Sequence, residues 1–158
     1  MTIAGAIELA LADVIRNKAD IGAGTILRCW QTLTDEQAIA ADGARMFPMI
    51  EVRCGPPATA DQTTRYCDVV ILCGTYNEDD KTHLQIAQLY EGVQIAVDAL
   101  HAQSIARTGA DLSLFSTRIS SEYSGSFSLG GITLSGSEPP YEDGGVNFIG
   151  VNMRVHFI

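Results

Sequence analysis

The sequence predicts an α+β domain with a mostly antiparallel sheet of four or more strands, on which an N-terminal helix and one long helix are packed. Three observations carry this. The patterned segments run helix, two strands, helix, then two or more strands, an order with too few βαβ units for a doubly wound parallel fold. A helical stripe extends from Leu84 to Leu100, and the C-terminal residues alternate strictly between apolar and polar. The 158 residues are read as one domain, since a chain of this length can remove roughly 70% of its unfolded surface from water.

The elements follow in order. Ile3, Ile7, Leu11, Val14 and Ile15 recur at helical spacing opposite Glu8, Asp13 and Arg16, which predicts an amphipathic helix ending near Lys18 before Gly22 and Gly24. Between residues 25 and 43 the signals conflict. Ile26, Leu27, Trp30 and Leu33 read as buried, while Thr34-Asp35-Glu36-Gln37 has the form of a capping box opening a short helix. Ile50, Val52 and Cys54 alternate with Glu51 and Arg53, the signature of a strand with one buried face, begun at Pro48 and ended by Gly55-Pro56-Pro57. The run from Tyr66 to Cys73 is apolar on both parities, as expected of a central strand covered on both sides.

Residues 77–81 form a polar turn, after which Thr82 and Gln85 make a second capping box for a helix reaching about His101. Its main stripe is Ile86, Leu89, Tyr90, Val93, Ala96, Val97 and Leu100. A thinner one, Leu84, Ala87 and Ile95, lies away from it and needs cover from a neighbouring element or another subunit. Phe115, Ile119 and Tyr123 share a parity opposite Ser116, Arg118, Ser120 and Glu122, which reads as a half-buried strand broken at Gly125. Residues 124–145 are rich in Ser and Gly and contain Pro139-Pro140, so they are expected to be extended loop or hairpin. Ile149, Val151, Met153, Val155 and Phe157 then alternate with polar or small residues in a final strand.

Nineteen acidic against ten basic residues give a net charge of −9, which opposes non-specific attraction to nucleic-acid phosphates and anionic lipids. Such a surface either keeps the chain soluble or, facing a channel, keeps passing DNA from sticking. No apolar run approaches the roughly 20 residues that cross a bilayer. The N-terminus lacks a basic leader and carries Glu8 in its apolar run, so no secretory signal is expected. Cys29, Cys54, Cys67 and Cys73 are therefore expected to stay reduced and to bind no metal.

Motifs for chemistry are few. Gly22-Ala23-Gly24 opens like a dinucleotide fingerprint, but Leu27 stands where the third glycine belongs and no strand precedes it. No CxxC, HxxxH or GxSxG spacing occurs, and His83, His101 and His156 fall on three different predicted elements. Asp68 interrupts an apolar strand, and so either marks a site or sits at an exposed strand end. Glu78, Asp79 and Asp80 lack the spacing of a calcium loop and read as a solvated turn. No catalytic, cofactor-binding or metal-ligating residues are assigned, and no enzyme activity or cofactor is expected.

The succession of an N-terminal helix, a strand, Cys67-Asp68-Val69-Val70-Ile71-Leu72-Cys73-Gly74-Thr75-Tyr76, an acidic turn and the helix from Leu84 to Leu100 resembles the tail-terminator, or tail-completion, proteins of long-tailed bacteriophages. A Gly/Pro-rich segment closed by the strand Asn147 to Val155 fits the same pattern. The resemblance covers most of the chain as a pattern and rests on no single motif. It implies a virion protein of the tail and neck, assembled in the bacterial cytoplasm as a homo-oligomeric ring, with a hexamer favoured. Such a ring caps the tail tube, joins it to the head connector and lets DNA pass without sequence-specific binding; its partners are the tube and neck proteins, with no membrane. Candidate subunit-interface residues are Leu84, Ala87 and Ile95 on the long helix. Ser128, Leu129, Ile132 and Leu134 join them from the Gly/Ser-rich segment, which is expected to be mobile until a neighbour orders it. The competing reading is a small ligand-binding or regulatory domain, which a closed apolar pocket with a few convergent polar groups would distinguish. An enzyme with an unfamiliar site is a third.

Overall fold

A computed structural model describes residues 1–18, 21, 24–32 and 47–158. Among them are three helices, α1 (Ile3–Lys18), α2 (Leu84–Ala106) and α3 (Ala110–Glu122). The strands are β1 (Ile26–Cys29), β2 (Met49–Cys54), β3 (Ala58–Thr59), β4 (Arg65–Tyr76), β5 (Leu129–Asp143) and β6 (Val146–Phe157). They form one six-stranded sheet in the order β1-β2-β4-β6-β5, with β3 on the end of β4. Only β1 and β2 run parallel, so the sheet is mixed and mostly antiparallel and the fold is α+β.

Register places Ile50, Val52 and Cys54 beside Cys73, Ile71 and Val69, and these beside Ile149, Val151 and Met153. That face of the sheet shares one core with α1, α2 and α3, centred on Ile7, Leu11, Ile71, Val93, Leu100, Phe115 and Met153. The β4 strand is central, as its composition predicts. Its second face is covered only in part, since Leu72 is buried, Val70 half-buried and Asp68 exposed. Asp68 lies within the strand on this open face, where its carboxylate accepts from Arg154 Nε at 2.7 Å.

Several expectations need correction. The stretch around Phe115, Ile119 and Tyr123 is the helix α3 and not a strand. Steps of four residues keep the same parity and also return to one face of a helix, and Leu112 at three before Phe115 is the helical signal. In β2, Glu51 has the parity opposite the buried face that the alternation predicts but is 1% exposed, clamped between Arg28 Nε at 2.7 Å and Arg53 Nε at 2.5 Å. Trp30 is not buried; it stands 52% exposed in a short 3-10 turn after β1. The capping box of residues 34–37, Leu33, and Gly22-Ala23 of the glycine motif lie outside the described residues.

The Gly/Ser/Pro-rich segment is the largest correction. It is a hairpin, as one of its two readings had it, but not a loop awaiting a neighbour, because residues 129–143 pair along nearly all of β6. Gly144 and Gly145, with φ of 58° and 80°, make the two-residue turn that needs positive φ at both positions. Register shifts fall at three places, one of them across Pro139-Pro140. Proline is tolerated there because β5 is an edge strand, with no further ladder to interrupt.

Candidate assembly surface

The position of α2 is set by a buried carboxylate. Asp80 is 3% exposed; it accepts the Gln85 and Ile86 backbone N–H groups at 3.0 and 2.9 Å and the Thr75 hydroxyl at 2.9 Å. Asp80 therefore caps the helix and ties it to β4, replacing the expected Thr82–Gln85 box. The residue at the cap position, His83, is left-handed with φ 57° and makes no side-chain cap bond. A carboxylate at this end also faces the positive pole of the helix. The signal was present in the sequence as an acid four residues before the helix, but the neighbouring Glu78 and Asp79 made it read as one solvated run.

From this anchor, Ile86, Leu89, Val93, Ala96, Val97 and Leu100 point into the core, and the thinner stripe points away. Leu84 is 60% and Ile95 52% exposed, and Ala87 is exposed with them. Ile105, near the end of α2, is exposed as well. No element among the described residues covers this stripe. The candidates from the hairpin divide differently. Ile132 is buried in the subunit's own core, and Leu129 and Leu134 are half-buried against it. Ser128 is exposed, and its carbonyl accepts the Ile158 N–H at 2.9 Å. Leu84, Ala87 and Ile95 thus lie on the surface, Leu129 and Leu134 present part of theirs, and Ile132 alone is enclosed in the core.

Where the first turn of α2 meets the far end of the hairpin, a cleft of about 460 Å³ opens, lined by residues that include His83, Ile86, Ala87, Tyr141, Asn147 and Phe148. Of the cleft residues Tyr141 and Phe148 are aromatic, and an aromatic cluster beyond the cleft continues from Phe148. Tyr141 stacks on Phe148 at 5.2 Å, and Phe47 lies edge-on to Tyr76 at 4.6 Å. Gly74 permits this, since a Cβ there would come within 2.9 Å of the Phe47 ring. Residue-by-residue reading missed the cleft because its walls come from segments more than fifty positions apart in the chain.

At the other edge of the sheet, Glu8 of α1 is fully buried and accepts the Gln31 N–H at 2.8 Å and the Cys54 N–H at 2.9 Å. Burial pushes its carboxyl above the ordinary 4.5, against the pull of those two bonds. The folded protein therefore holds this proton more tightly than the unfolded chain does. That contribution to stability is fullest below the unfolded value and is lost as pH rises through the folded one. The stability of the wild type relative to Glu8→Gln should accordingly fall over the interval that begins at the ordinary value of 4.5 and runs upward in pH, as read in urea titrations. A relative gain over that interval would contradict the assignment.

Cys29, Cys54, Cys67 and Cys73 are all buried. Burial pushes Cys73 up to about 12, and Cys54 is pushed up by the Cys67 thiol beside it and by burial. The hydrogen bond from Cys54 lowers Cys67 instead, but all four are closed to solvent, and a thiol reagent must reach a thiolate to react, so it should label none of the four readily in the native protein and all four in denaturant. Rapid native labelling of Cys54 or Cys73 would contradict this placement. Among the described residues no group of three His, Cys, Asp or Glu side chains is placed to hold a metal ion. None of their helices is long and apolar enough to cross a membrane. No family model matches the chain, and no curated protein matches it as a relative.

Proposed function

We propose that this chain is a structural subunit of a phage neck or tail ring of the tail-terminator kind, in which one long helix lies on the sheet and the work is done by interfaces. The ring, with six subunits favoured, would cap the finished tail tube, join it to the head connector and form part of the DNA passage. The observation that carries this reading is the apolar stripe of Leu84, Ala87 and Ile95, left exposed on a helix whose opposite face is fully packed. Leu84 and Ile95 are both more than half exposed on one side of the helix, and a subunit contact is one way such apolar surface is covered. The net charge of −9 is compatible with a passage that repels DNA phosphates. Nothing in the reading calls for a reactive residue or a cofactor.

The test is complementation. A phage lacking its own copy and supplied with Ile95→Asp should produce headless tails of irregular length, visible by electron microscopy, while wild-type protein restores normal particles. Normal, infectious particles from the variant would remove the stripe from assembly. The ligand-binding alternative is favoured by one observation, the cleft beside α2, whose walls are mostly apolar. The two readings part on native mass, since a ligand-binding domain has no need to form rings.

A further inference from the structure

We propose, resting on the ring reading above, that the cleft beneath the first turn of α2 is the socket for Trp30 of a second copy of this chain. Trp30 is the single tryptophan of the sequence. It follows β1, one edge of the sheet, with 52% of its surface exposed. The cleft lies beside β5, the opposite edge. Tryptophan is the residue most enriched at binding hot spots, and there it sits in a desolvated pocket. A cleft of about 460 Å³ walled by Ile86, Pro140, Tyr141, Phe148 and Ile149 has the size and the chemistry to take a side chain that buries about 150–250 Å².

Charge and hydrogen bonding favour the same pairing. Glu142 on the cleft, Asp143 beside it, and Glu78 and Asp79 in the preceding turn are all exposed. Trp30 stands one step beyond the Cys29–Val52 pair, at the level of Arg53, whose side chain remains 47% exposed although ion-paired to Glu51. Docking one edge on the other brings the arginine to the acids, which steers the approach and fixes the orientation. In the wall of the cleft, Asn147 is 8% exposed, and its Nδ2 has no acceptor. A carbonyl from the incoming backbone supplies one after a small side-chain rotation, and relieves a buried unsatisfied donor.

Knob and socket are different surfaces on opposite edges, so the contact is head-to-tail. Each added copy leaves one free tryptophan and one free socket, and the series ends only when the ring closes. The test uses the full chain, with Trp30 emission and mass followed together over a concentration series. Emission should move from a solvent-exposed to a buried position in step with association. Trp30→Ala and Ala87→Arg, each checked for an unchanged circular dichroism spectrum, should each weaken association at least about 30-fold. Mixed together they should form one-to-one dimers, because each retains the surface the other lacks. If mass rises while Trp30 emission stays at its exposed position, or if the mixture stays monomeric while wild type assembles, the socket assignment is overturned and the ring reading stands. If wild type fails to associate at any concentration and also with tube protein supplied, the ring reading itself falls.

Discussion

Val93→Asp should unfold the subunit, while Leu84→Asp on the same helix should leave it folded and unable to assemble. Val93 is fully buried in the core shared by all three described helices, and an unpaired carboxylate there costs upwards of about 4 kcal/mol. That is a large share of the roughly 5–15 kcal/mol that holds a domain of ordinary stability. Leu84 is 60% exposed, so the same charge placed there should change stability by no more than about 0.5 kcal/mol. Its expected effect is on self-association, where an aspartate would be desolvated at the contact. Thermal melts and sedimentation of both variants separate the two outcomes. Equal loss of fold would mean that Leu84 belongs to the core, and equal retention of assembly would mean that the stripe is idle.

Glu8→Ala should be severely damaging for a polar change. It removes the acceptor for two backbone N–H groups at once, those of Gln31 and Cys54, in a place closed to water, and leaves a void where the carboxylate stood. Two unsatisfied donors and a cavity together cost on the order of 3–5 kcal/mol. The loss should be concentrated where α1 meets β1 and β2, and amide exchange at residue 54 should rise more than at Val151 in the middle of β6. A variant that unfolds at the wild-type urea midpoint would show that Glu8 is a bystander.

Legibility in the sequence tracked how local the deciding interaction is. The α1 and α2 helices and the β2, β4 and β6 strands each carry their burial pattern within one segment, and that pattern named them. Glu51 read as lying opposite the buried face and Asp80 as solvated, because an acid in an alternating strand or an acidic turn normally is. Their partners, Arg28 for one and the Ile86 N–H for the other, come from elsewhere in the chain or from helix geometry. Residues 110–122 failed for a different reason, since a spacing of four satisfies both a strand and a helix. The β5 strand was hidden by its own chemistry. Gly, Ser and Pro are what an edge strand with three register shifts uses, and they are also what a loop uses. Of the candidate surface, Leu84, Ala87 and Ile95 were legible because an apolar residue off the main stripe of a helix has no core to enter. The cleft was not, because distant segments meet to form it.

Native mass spectrometry of the purified protein, alone and with tail-tube protein, paired with electron microscopy of the same samples, tests the central claim most directly. The account predicts a closed ring of one stoichiometry, six copies favoured, seated on the end of the tube. A strict monomer under both conditions, with its cleft occupied by a small molecule, would contradict it.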